Sequence, residues 1–201
     1  MRYSAQHKAK THERVLKKAA EQMRRRGVQG TGIVGLMGKV GLTHGGFYAH
    51  FPNKNALIAE ATGPMLEEGI AEVIAAAEAA PEGKKVRAIV NRYLSTQHRD
   101  SPQACPIAGL GGEMGRQSES VRNAYTRAIE DRLKLIARFF PGTNEQEQRD
   151  RARLMMSGMA GTMMIAKAIT NRKASDQFLE QAREFYASAF EATPTQKNKK
   201  P

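Results

Sequence analysis

Apolar residues recur every three or four positions along almost the whole chain, and strict alternation is absent. That spacing belongs to α-helices with one buried face, and the β-branched residues are too scattered to support strands. A first helix is predicted from residue 4 or 8 (Ser4 or Lys8) to 26. Val15, Ala19, Ala20 and Met23 share one face, and Gly27 stands where a glycine ends a helix. A short helix over 33–40 stops at Gly41. Thr43 then caps a second short helix over 44–51. Pro52 breaks it, and Asn53 can cap a long helix over 54–80. After the Pro81-Glu82-Gly83 break, helices are predicted over 84–98, 105–115, 118–140, 145–171 and 175–192. The remaining TPTQKNKKP, residues 193–201, is polar and basic and reads as a disordered tail.

Composition narrows the function classes. At 201 residues the chain can bury a sizeable core, and with 40% hydrophobic and 26% charged residues it has the balance of a soluble protein. A single cysteine rules out an internal disulfide and suits a reducing cytosol. No apolar run is long enough for a bilayer, and the basic start MRYSAQHKAKTHERV lacks the apolar core of a signal peptide. The expectation is a cytoplasmic protein with no membrane partner. The net charge is +12, unevenly placed: residues 1–63 hold 11 Lys and Arg against 3 acids, and residues 64–201 hold 21 against 17. An excess in the first third fits a segment that meets an anionic polymer, although a solvated basic face reads the same way.

The stretch GLTHGGFYAHFPNK, residues 41–54, makes the charge specific. Three short helices joined by glycine turns within the first ~50 residues suggest a helix-turn-helix DNA reader. On the last helix, Leu42, Phe47 and Phe51 fall on one side, facing Ile33, Leu36, Met37 and Val40. His44, Gly45, Tyr48 and Ala49 fall on the other, with His50 at the edge. A short helix with small, polar and aromatic groups outward can enter the major groove. Thr43 and the first-turn N–H groups can hold a phosphate. Tyr48, His50 and Lys54 can add phosphate contacts, and His44 can reach a base edge. Gly45 and Gly46 leave room for backbone to approach the duplex. His44 and His50 are six residues apart, roughly 240° around a helix, so they do not form a metal pair.

Residues 31–60, TGIVGLMGKVGLTHGGFYAHFPNKNALIAE, resemble the signature of TetR-family transcriptional repressors. The resemblance implies an all-α protein: a three-helix helix-turn-helix DNA-binding domain (1–53) followed by an α-helical effector-binding and dimerisation domain (54–192). The second domain begins with a linking helix (54–80). By motif position, Thr31, Thr43, His44, Gly45, Gly46, Tyr48, His50 and Lys54 inherit DNA-contact roles. The implied partners are palindromic operator DNA, a second copy of the chain and a small-molecule effector of unspecified identity. No cofactor is implied.

Within RLMMSGMAGTMMIAKAI, Leu154, Gly158, Gly161 and Ile165 recur at helical spacing, and Phe178, Phe185, Tyr186 and Phe190 stripe the last helix. Spacing alone allows an internal core or a dimer face. The resemblance favours the dimer face, with Leu154, Gly158, Gly161, Ile165, Phe178 and Phe185 as candidates. Met65, Met114, Met155, Met156, Met159, Met163 and Met164 are either core or the lining of an adaptable cavity. Cys105, in ACPIAGLGGEMGR, precedes Pro106 and therefore sits near a helix N-cap, where a thiolate is favoured. It is either a buried inert thiol or a sensor. The segment resembles that of TetR-type regulators responding to electrophiles or oxidants through one cysteine.

Two rival readings stay open. A cysteine-dependent enzyme would need a base such as His98, but no nucleophile elbow, P-loop or dinucleotide fingerprint is present. A non-specific architectural nucleic-acid protein would bind with salt dependence but without sequence preference. The reading carried forward is a non-enzymatic, ligand-responsive, homodimeric repressor.

Overall fold

The computed structural model describes residues 5–101 and 105–191. The expected tail, 193–201, lies outside them. Among the described residues the secondary structure is helical throughout. The elements are α1 (Ala5–Arg26), α2 (Ile33–Lys39), a 3-10 helix (Gly45–Ala49), α3 (Lys54–Ala79), α4 (Lys85–Tyr93), α5 (Thr96–Asp100), α6 (Pro106–Met114), α7 (Glu119–Ala137), α8 (Glu145–Ala168) and α9 (Arg172–Phe190). No helix among the described residues is long and apolar enough to cross a membrane.

Local chemistry sets most of these boundaries. Gly27, Gly41 and Gly83 take φ of 77°, 72° and 79°, the left-handed region that side chains disfavour. Arg24, Arg25 and Arg26 complement the dipole at the end of α1. The Asn53 side chain accepts the Ala56 N–H at 2.9 Å, Asn144 accepts that of Glu147 at 2.9 Å, and Asn171 accepts that of Ala174 at 3.0 Å. Each cap satisfies a donor that the first turn leaves without a partner. The expected helix over 84–98 is broken in two. Ser95 Oγ donates to the Arg92 carbonyl at 3.0 Å, and α5 starts afresh at Thr96. Such side-chain-to-backbone bonds compete with helix continuation.

The chain forms two compact units. One comprises the residues up to Glu72 together with Gln97–Arg132; the other comprises Val73–Thr96 and the residues from Leu133 onward. This differs from the expected 1–53 and 54–192 partition, because α6 and most of α7 group with the N-terminal helices. The core of the first unit joins Val15, Ala19 and Met23 of α1, Leu36 and Met37 of α2, Phe47 and Phe51, Leu57 and Ile58 of α3, and Leu110 and Met114 of α6. In the second unit α8 packs on α9, and α4 packs on α9. Arg87 holds Glu191 through Nη2 at 3.0 Å, and Arg183 donates to the Leu94 carbonyl at 3.0 Å.

Candidate nucleic-acid interface

The expected second short α-helix, over 44–51, is instead a five-residue 3-10 helix, Gly45–Ala49. Its bonds run to the third residue back: Gly46 N–H to the Thr43 carbonyl at 3.1 Å, Phe47 to His44 at 3.1 Å, and His50 to Phe47 at 2.9 Å. Two consecutive glycines provide little α-helical propensity. Thr43 Oγ1 also accepts the Gly46 N–H, at 3.3 Å, which tightens the entry. Thr43 thus caps as expected, but it caps a narrower helix.

So short a helix is held by what it buries. Phe47 and Phe51 are both fully buried, with ring centroids 5.5 Å apart. Leu36 and Met37 of α2 belong to the same core. The outward face carries Thr43, His44, Gly45, Tyr48 and Ala49, all exposed. Tyr48 is 59% exposed, and the His44 ring meets it edge-on at 5.9 Å. Gly46 and Lys54 lie half-exposed at the margins. The face is small, aromatic and hydrogen-bonding, and none of its side chains is needed in the core.

Two of the expected contact residues are placed differently. Thr31 is buried, and its hydroxyl donates to the Gly27 carbonyl at 2.9 Å. Its side chain holds the turn between α1 and α2 and is not on the surface, which corrects its expected contact role. His50 is half-buried and turned toward α1, 6.1 Å from the His12 ring. Its Nδ1 is buried without a partner. Burial, and then the neighbouring His12 and Lys8, hold the His50 pKa below its ordinary value. His12 was not singled out in the sequence. It stacks on Phe51 at 4.4 Å and bonds Glu60 at 2.7 Å. Position 12 continues the 15–19–23 stripe of α1, and that spacing marked it as inward-facing.

Cys105 is buried at the N-cap of α6, with Pro106 in the first turn, as its sequence context suggested. The Tyr125 hydroxyl is buried without a hydrogen-bond partner. Its pKa is pushed up to about 12 by burial and then by the neighbouring Cys105.

The dimer candidates divide. Leu154, Ile165 and Phe185 are 66%, 49% and 65% exposed, a large apolar area left uncovered by the chain itself. Phe178 is half-buried, and a side chain at Gly161 would meet nothing within 4 Å. Gly158 is half-buried, and a Cβ there would lie 2.5 Å from the Tyr186 hydroxyl, so this glycine lets α8 and α9 approach within the chain. Met65 and Met114 belong to the core of the first unit, Met155, Met156, Met159 and Met163 are buried, and Met164 is exposed. A cavity of about 240 Å³ in the second unit is lined by residues including Lys85, Arg138, Phe139 and Gln148, and by none of the methionines.

A short helix seated on two phenylalanines, packed against a second short helix and presenting a small polar-aromatic face, is a helix-turn-helix arrangement. Residues 15–61 match the family described as bacterial regulatory proteins, tetR family. No curated protein sequence matches the chain. Solved structures show the rest of the fold. The reduced form of Escherichia coli NemR superposes with a TM-score of 0.71 at 20% identity, over 92% of this chain and 99% of NemR. A TetR transcriptional regulator from Chloroflexus aurantiacus gives 0.67 at 22% identity, over 91% and 95%. A TetR-family regulator from Agrobacterium tumefaciens gives 0.66 at 19%, over 92% and 100%. The chain has the all-α fold of TetR-family regulators.

Proposed function

We propose that the protein is a homodimeric transcriptional repressor that binds an approximately palindromic operator and is released by a small-molecule effector or by modification of Cys105. The observation that carries this reading is the exposed face of Thr43, His44, Gly45, Tyr48 and Ala49 over the buried Phe47–Phe51 pair, within a TetR-family domain. In this reading Tyr48, Thr43 and Lys54 contact phosphates, His44 reaches a base edge, and the glycine pair admits close approach. His50 braces the helix from the side of α1.

Dimerisation is supported by the exposed Leu154, Ile165 and Phe185, which would be covered by the same residues of a second copy. A dimer would set two reading helices in successive major grooves about 34 Å apart. Effector control requires different affinities for the two states of the protein. The burial of Cys105 at a helix N-cap, and the likeness to a structure described as the reduced form of NemR, support a thiol-based route. Selection from a random duplex library tests the reading. The expected outcome is enrichment of an inverted repeat with half-sites about ten base pairs apart; enrichment of no motif would contradict it.

A further inference from the structure

Helix α6 ends in a carboxylate at the wrong pole. Glu113 lies in the last turn of Pro106–Met114, where the helix dipole disfavours negative charge. Its side chain has a specific use instead. Glu113 Oε2 accepts the backbone N–H of Val28 at 2.8 Å and that of Gln29 at 3.3 Å, both in the turn between α1 and α2. These N–H groups follow the left-handed Gly27. Gly27 itself lies against the Glu113 carboxylate, so a side chain at position 27 would meet Oε1 directly. The absent Cβ is required twice, for its φ of 77° and for the approach of the carboxylate.

The contact is part of a continuous arrangement within one unit. Leu110 and Met114 of α6 join the core that holds Met23, Leu36 and Phe47. Gln117 Nε2 donates to the Glu113 carbonyl at 3.2 Å, which fixes the end of the helix from behind. On the other side of the turn, Thr31 N–H donates to the Val28 carbonyl at 3.2 Å and the Thr31 hydroxyl to that of Gly27. Two residues later α2 begins. The carboxylate therefore grips the backbone from which α2, and through it the reading helix, takes its position.

We infer that Glu113 is a positioning residue for operator binding: its carboxylate latches the Val28–Gln29 backbone, so that α6 sets the register of the DNA-reading helices. The inference rests on the proposed repressor function, because register matters only if the head reads DNA. A displacement of α6 would move the turn with it. A charge-assisted bond to two backbone donors resists such movement more than a neutral bond would.

Three full-length variants test the latch by operator binding and by amide exchange measured without DNA. Glu113→Ala is expected to weaken operator binding about tenfold and to speed exchange at Val28 and Gln29 about tenfold, with an unchanged salt slope because no phosphate contact is lost. Glu113→Gln keeps an acceptor at the same reach and should stay within about threefold of wild type. Glu113→Asp keeps the charge but is one methylene short, so it should behave like the alanine variant. The Gln and Asp variants retain a polar side chain and stay informative if the alanine variant fails to fold. Wild-type exchange at both amides in Glu113→Ala or Glu113→Asp would overturn the latch whatever the DNA result. Wild-type protein that binds operator and scrambled DNA equally would overturn the repressor reading instead.

Discussion

The glycine pair in the reading helix allows an experiment in which stability and affinity should move in opposite directions. Neither Gly45 nor Gly46 has a positive φ, so neither backbone position demands glycine. A Cβ at Gly45 would meet nothing within 4 Å, and one at Gly46 would meet Thr43 Oγ1 at 3.5 Å, an ordinary contact. The protein alone therefore gives no reason for glycine at either site. Replacing a helical glycine by alanine stabilises by roughly 0.5–1 kcal/mol through the lost freedom of the unfolded chain. For a protein of this size that raises Tm by about 1–4 °C per substitution. If the glycines provide clearance for backbone against the duplex, each added methyl collides with DNA, and operator affinity falls at least about tenfold, or about 1.4 kcal/mol. Gly45→Ala and Gly46→Ala would be compared by thermal melts and by fluorescence anisotropy on operator DNA. Raised Tm with unchanged or tighter binding would refute the clearance argument.

Tyr48 is 59% exposed, so Tyr48→Ala should weaken operator binding about tenfold while shifting stability by no more than about 0.5 kcal/mol; full affinity would remove it from the contact face. Phe185→Arg places a charge on the exposed α9 face and should raise the dimer dissociation constant at least about 100-fold in sedimentation; an intact dimer would place the interface elsewhere. The depressed His50 pKa favours the neutral ring in the fold, so its contribution is complete above the ordinary value of 6.5 and is lost as pH falls through the lower folded value. His50→Gln should therefore flatten the fall of Tm between about pH 7 and 5, and an unchanged slope would assign that fall to other groups. Cys105→Ser should keep operator affinity but abolish release by electrophiles; release at the wild-type concentration would show that the thiol is inert.

Local signals carried far in this chain. The 15–19–23 stripe, the terminal Gly27 and Gly41 and the caps Asn53 and Thr43 each act within one or two helical turns, and each appears where spacing placed it. The inward Phe47 and Phe51 were legible for the same reason, since i and i+4 share a face of a helix and the bond from Phe51 N–H to the Phe47 carbonyl keeps that relation at 3.0 Å. What escaped depends on partners distant in sequence. Gly158 meets a tyrosine on the next helix, and the Glu113 acceptor and Val28 donor are 85 residues apart. The 3-10 form of the reading helix was hidden more subtly. Its apolar spacing suits either helix, and the low propensity of the glycine pair decided between them.

The most direct test of the repressor function is the ratio of affinities for the selected operator and for a scrambled duplex of equal length, measured by competition at one fixed salt concentration. A regulator reading base edges through His44 should favour the operator by about 10³-fold or more, whereas equal affinity for the two duplexes would contradict sequence-specific repression and leave a charge-driven nucleic-acid binder.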